Sequence, residues 1–336
     1  LRTRRQRQMC IRDSYDTYSK YMWMINFFIT TALGKYKKNS ENAFAISLKS
    51  RDLYFKIADE EGIEFDLMKK GIIHFYNSKR EFEIAASKKD WIEAMGCEWE
   101  IVDRDQIFEI EPALKNNHKI IGGVYTKSDA TGDIHKYCFE LAKVLEKKYG
   151  VDFKFSETIK DIKKSNKPIL QTNKNEYEFD DIILCTGVET ERFRRKFGDS
   201  FRIYPVKGYS VTVDLEDDKS RESAPFVSLL DDPSKLVASR LGNRLRVAGT
   251  AELAGYNKDI RSNRIKPLLK WINELFPEVN TKNYLPWTGL RPMSSDMVPI
   301  IKESKRKNVF YNSGHGHLGW TMGTYSGKLA ADLVDQ

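Results

Sequence analysis

The stretch Gly314-His315-Gly316-His317-Leu318-Gly319-Trp320-Thr321 limits what this chain can fold into more than any other. The apolar run at 309–312 before it reads as a short strand, and 320–334 after it reads as a helix. A strand, a glycine-rich turn and a helix start bring backbone N–H groups close to an anionic ligand. Gly319, Gly323 and Gly327 share one helical face, and each interior glycine costs about 0.5–1 kcal/mol against alanine. Such a stripe implies close approach of another backbone or of a flat ligand. A glycine-rich helix packed on a sheet without a ligand is the alternative. Upstream, Arg291 sits between apolar and turn residues, where a guanidinium is costly to bury without an anion. It either grips a carboxylate through two parallel hydrogen bonds or closes a structural salt bridge.

The formal net charge is +8, and half of it lies in residues 1–14, where Arg2, Arg4, Arg5, Arg7 and Arg12 face only Asp13. The rest is interspersed with carboxylates, which describes a solvated surface and not a nucleic-acid stripe. An arginine-rich opening without lysine differs in kind from the lysine-rich remainder, so it reads as a non-native leader. A basic arm or a targeting peptide are its alternatives. Cys10, Cys97, Cys138 and Cys185 show no paired spacing, so neither zinc site nor disulfide framework is expected. Cys185 is expected to pack at the end of a buried strand. The most apolar run, 21–33, is too short to span a bilayer. It reads as a core or amphipathic helix, with a seat at a membrane interface as the alternative, given its aromatics and flanking lysines.

Along the chain, helical spacing covers 47–62, 81–95 and 103–110, and strands are expected at 71–76, 99–102 and 120–125. Asp133 caps a helix that runs to Tyr149 and closes at Gly150, followed by a strand at 151–155. A three-stranded meander (159–163, 168–172, 177–179) leads to an apolar strand ending in Thr186-Gly187. A second, mostly antiparallel sheet takes 203–215, 226–230, 236–239 and 245–249, with Arg240, Arg244 and Arg246 on one alternating strand. A helix is expected at 261–276.

Five stretches in order (129–133, 204–210, 239–249, 251–253 and 287–333) are similar to the D-amino-acid dehydrogenases of the small-subunit type. These are FAD enzymes of the D-amino-acid oxidase superfamily, and the resemblance runs from about Tyr18 to the C-terminus. It implies an α/β fold: an FAD-binding Rossmann-like domain with an inserted, mostly antiparallel α+β substrate domain. Residues 15–130 and 201–288 would belong mainly to the substrate domain, and 131–200 and 289–336 to the FAD domain. The implied reaction is oxidative deamination of a D-amino acid, with electrons passed to a quinone or respiratory carrier. The implied location is the cytoplasm, with peripheral contact to the inner membrane. An oxygen-using glycine or amine oxidase, or an inactive fragment, are the alternatives.

The resemblance also implies roles for particular residues. Arg291 would hold the substrate carboxylate, and Tyr209 and His317 would stand beside the substrate. Ile159, Thr186, Gly187, Gly314, His315, Gly316, Leu318, Gly319, Trp320 and Thr321 would surround FAD. No metal is expected, because His315-x-His317 has no third ligand cluster. No Gly-x-Gly-x-x-Gly turn of the kind that opens such domains stands at the start of this sequence, and neither Gly122-Gly123 nor Gly314–Gly319, which has that spacing near the C-terminus, replaces it. The first βαβ unit is therefore expected to be missing, leaving a sheet edge open.

Overall fold

The computed structural model describes the backbone of residues 4–163 and 165–336, and side chains from residue 17 onward with Lys164 excepted. The leader reading of residues 1–14 rests on side chains outside the described residues. The apolar run belongs to α1 (Arg4–Ala32), which turns at Gly34 into α2 (Tyr36–Glu61). The run is a partly exposed amphipathic helix in the structure. Trp23 is buried and its Nε1 donates to the Met293 carbonyl at 2.8 Å, while Tyr21, Ile25, Phe28, Ile29 and Leu33 stay exposed.

Next come β1 (Ile72–Tyr76), α3 (Lys79–Ala86), α4 (Lys89–Glu93), β2 (Glu100–Asp103), α5 (Arg104–Ile110), β3 (Gly122–Thr126) and α6 (Ile134–Tyr149). The single helix expected at 81–95 is broken. The Lys88 N–H bonds the Ala85 carbonyl three residues back, which tightens and ends the first piece. The start of α6 follows expectation: the Asp133 carboxylate accepts from the His135 and Lys136 N–H groups, and Gly150 closes the helix at φ 68°.

The strand expected at 151–155 does not form. No ladder partner lies beside it among the described residues, and Phe153 and Phe155 stack on each other at 5.5 Å instead. The meander is present as β4 (Ile159–Lys163), β5 (Ile169–Thr172) and β6 (Glu176–Glu178), followed by β7 (Ile182–Leu184) and α7 (Thr190–Phe197). Cys185 corrects another expectation. It is exposed, because only Ile182 and Leu184 of that alternation face the core.

The second half contributes β8 (Ile203–Asp214), α8 (Asp218–Ser223), β9 (Ser228–Asp231), β10 (Leu236–Leu241), β11 (Arg244–Glu252), α9 (Ser262–Leu275) and β12 (Leu285–Ser294). It closes with β13 (Ile300–Glu303), β14 (Val309–Ser313) and α10 (Gly319–Val334). Arg240 is not on the strand of Arg244 and Arg246, because the turn at Gly242-Asn243 separates β10 from β11.

The fold is mixed α/β around an eight-stranded, mostly antiparallel sheet of order β12-β8-β11-β10-β9-β1-β3-β2. The α9 helix covers one face. Leu268, Trp271 and Ile272 pack there in one core with Tyr209, Val211, Val213 and Val247. Burying each such side chain contributes about 1.5–3 kcal/mol. A smaller sheet, β13-β14-β7, pairs β14 and β7 in parallel, with β7 at its edge. Both parallel strands end at the same side, in Ser313-Gly314 and Thr186-Gly187.

Candidate functional site

The pleat of the large sheet decides which residues can meet. In the β12–β8 pairing, Arg291 lies opposite Val206, Gly289 opposite Gly208 and Trp287 opposite Ser210. Alternation puts this set on the face away from α9. Arg291 is half-buried there. Its Nη1 donates to the Thr250 carbonyl at 2.7 Å and its Nη2 to the Gly249 carbonyl at 3.4 Å. Both carbonyls come from an irregularity in β11 that holds Thr250 at φ 65°, a strained backbone of the kind that persists at functional sites.

The guanidinium lies against the bare Cα of Gly208, where an added Cβ would meet its Cζ and both terminal nitrogens at 2.4–2.5 Å. Burial pulls its pKa below the usual arginine value. Among the described residues no carboxylate lies in ion-pair range of Arg291, so the salt-bridge alternative has no partner.

The glycine-rich loop is laid along the same strand. The Gly316 N–H donates to the Pro292 carbonyl at 2.9 Å, and His315 bridges Met293 in antiparallel fashion. Gly316 (φ 60°) has no room for a side chain, since a Cβ would stand 2.6 Å from Met293 Sδ. Thus Arg291, Gly314, His315 and Gly316 are brought together. His317 is exposed at the loop tip yet crowded by protein. That crowding, and then the Arg291 charge, lower its pKa from the ordinary value. The His315 ring turns inward, with Nε2 2.9 Å from Ser326 Oγ, and burial lowers its pKa too.

Leu318 offers no side-chain cap. The first N–H groups of α10, at Gly319, Trp320 and Thr321, therefore have no partner within the helix and carry its positive end. Thr186 and Gly187 join this corner through hydroxyls. Ser313 Oγ donates to the Gly187 carbonyl at 3.2 Å, Thr190 Oγ1 donates to Ser313 Oγ at 2.9 Å, and Thr186 Oγ1 lies 2.9 Å from Thr190 Oγ1.

Three residues go elsewhere. Tyr209 alternates onto the α9 face and donates to Glu252 Oε2 at 2.8 Å. The Trp320 ring packs into an aromatic cluster, 4.2 Å from Tyr54 and 5.5 Å from Tyr137. Ile159 packs in the meander beside Ile162 and Phe193, and its carbonyl accepts from Arg192 at 3.0 Å. The glycine stripe also divides. Gly323 is pressed by the Tyr54 hydroxyl at 2.7 Å, whereas Gly327 faces open space. Sequence reasoning missed Trp287 and Ser210, which only the strand register brings to the site face. Ser210 Oγ is buried without a hydrogen-bond partner among the described residues.

Residues 19–333 match the family model described as FAD dependent oxidoreductase (DAO). The chain is 41% identical over 323 residues to D-amino acid dehydrogenase 3 of Mesorhizobium japonicum, covering 95% of this chain and 77% of that relative. It is 35% identical over 321 residues to the D-amino acid dehydrogenase of Dechloromonas aromatica, covering 93% and 76%. Among solved structures, glycine oxidase from Bacillus cereus aligns with a TM-score of 0.76 at 22% identity, over 86% of this chain and 80% of that one. L-proline dehydrogenase from P. horikoshii aligns at 0.76 and 16% identity, over 86% and 78%.

Proposed function

The chain belongs to the FAD-dependent oxidoreductase (DAO) family, and we propose that it oxidises D-amino acids to imino acids, which water then converts to 2-oxo acids and ammonia. The two D-amino acid dehydrogenases at 35% and 41% identity support this substrate class. The observation that carries it is the half-buried guanidinium of Arg291, with no carboxylate in ion-pair range among the described residues, beside the loop that leads to the uncapped main-chain amides of Gly319–Thr321.

The residues present fit the ring end of FAD. Gly187 faces open space, Gly319 meets nothing nearer than His315 Cβ at 3.8 Å, and Asn312 Oδ1 is buried without a partner among the described residues. Bound FAD supplies the two-electron acceptor. Arg291 holds the substrate carboxylate by two parallel hydrogen bonds, and the Thr250 and Gly249 carbonyls fix the plane of the fork. The N-terminus of α10 favours negative charge at its mouth by about 0.3–2 kcal/mol. His317, kept neutral by its surroundings, is the proton acceptor for the substrate ammonium. Tyr209, on the far face, has no part in the site.

Electrons leave to a quinone-class respiratory acceptor at the cytoplasmic face of the inner membrane. The exposed apolar face of α1, followed by Lys35, Lys37 and Lys38, supports a peripheral seat on an anionic bilayer. No described helix is long and apolar enough to cross a membrane. The test is turnover of D-amino acids with a soluble quinone, with peroxide measured under air and sedimentation with anionic vesicles. Quinone-dependent 2-oxo acid without peroxide is the expected result. Peroxide in step with product refutes the acceptor, failure to sediment refutes the membrane seat, and inertness toward every D-amino acid with FAD bound refutes the activity.

A further inference from the structure

With Arg291 assigned to the α-carboxylate, as the reading above has it, a second guanidinium on the same sheet face remains without a role. Arg291 lies opposite Val206 and Arg246 opposite Thr212, and both of these β8 residues alternate onto the face away from α9. The neighbouring arginines are accounted for. Arg244 pairs with Asp133 at 2.6 Å, and Arg240 donates to the carbonyls of Arg221 at 2.9 Å and Gly242 at 3.3 Å. Arg246 has no ion pair and no hydrogen-bond acceptor among the described residues. Its guanidinium stands 5.2 Å from the centroid of the Trp287 ring.

That ring lies over Gly289, whose Cβ position is 2.2 Å from a Trp287 ring carbon. Gly289 is paired with Gly208, the residue beneath the Arg291 guanidinium. Opposed residues of an antiparallel pair stand about 5 Å apart, so the Arg291 guanidinium over Gly208 and the Trp287 ring over Gly289, with Arg246 against that ring, lie side by side on one face. Ser210, opposite Trp287, adds a hydroxyl that is 1% exposed and has no partner among the described residues. Half-buried guanidinium groups need an anion. Asp133, the acid whose charge reaches Arg246, is already bonded to Arg244.

We propose that Arg246 determines specificity at the substrate side chain, and that the preferred substrates are D-amino acids whose side chain carries a carboxylate. The α-carboxylate goes to Arg291. The distal carboxylate goes to Arg246, which is backed by Trp287.

Calorimetric titration of the full chain with FAD, using glutarate and butyrate, tests this without turnover, and kcat/KM for D-glutamate over D-alanine tests it with turnover. Glutarate should bind at least tenfold tighter than butyrate. Arg246→Gln should remove that preference while leaving butyrate affinity unchanged, and should lower the D-glutamate to D-alanine ratio at least tenfold. Arg246→Lys should keep part of it. Equal affinity of the parent for both ligands, or equal weakening of both by Arg246→Gln, overturns the proposal. Arg291→Gln separates it from the underlying reading, because both ligands should then weaken. If Arg291→Gln leaves both unchanged while Arg246→Gln still abolishes the preference, the second anchor stands and the role of Arg291 falls.

Discussion

Substitution of Gly208 by alanine should damage the site and spare the fold. The added methyl would stand 2.4–2.5 Å from Cζ and both terminal nitrogens of Arg291. Carbon contacts are comfortable at about 3.5–4.0 Å, so the guanidinium must lift by on the order of 1 Å. The side chain is flexible and its far end gives way, but the 2.7 Å bond to the Thr250 carbonyl cannot survive that displacement. The displaced fork then misses a substrate carboxylate aligned with its parent position, and one charged hydrogen bond lost there costs about 1.5–3 kcal/mol, roughly 10- to 150-fold in affinity. Gly208 is not among the left-handed glycines, so alanine suits β8 there. The expected result is kcat/KM for a D-amino acid down 10- to 150-fold with the melting midpoint nearly unchanged. Turnover within twofold of the parent would refute the placement of Arg291 at the reacting end. So would a melting loss large enough to account for the lost activity.

Two further outcomes follow from local geometry. Gly327→Ala should stabilise the chain by about 0.5–1 kcal/mol, because its Cβ meets nothing within 4 Å. Gly323→Ala should gain less or lose stability, because its Cβ would crowd the Tyr54 hydroxyl at 2.7 Å; equal urea midpoints for the two variants would contradict the packing of α10 on α2. Burial holds His315 below its ordinary value of 6.5, and His317 is lowered as well. The unfolded chain therefore takes up protons that the folded chain refuses, and stability falls as pH drops below about 6.5. His315→Gln should flatten that fall between about pH 7 and pH 5, and an unchanged slope would show that the ring is not held neutral.

Much of the architecture was legible because its signals are local. Asp133 and Gly150 bracket α6 with side-chain and backbone chemistry that needs no distant partner. The turn at Gly314–Gly316 was visible for the same reason. The failures concern residues whose fate rests on partners far away in the chain. The apolar alternation at 151–155 is real, but a strand needs a neighbour to bond. Tyr209 and Ser210 sit in a run buried on both faces, so no pattern said which face would carry Arg291. Arg291 itself read as lying between apolar and turn residues, and no strand was expected there. Its strand is the outermost of the large sheet, where proline is tolerated. Arg246 could be singled out only once Arg240 and Arg244 had found their partners.

Trp23 reaches across a separation of 270 residues to hold the Met293 carbonyl, and Met293 is the wall against which the Gly316 turn rests. The helix α1 thus braces the corner where the glycine-rich turn meets β12. A load applied to α1 has a direct route, through one indole and one thioether, to the glycine-rich turn. Mooring that helix to a surface would stiffen the loop from behind, joining where the protein rests to how firmly its reacting groups are aimed.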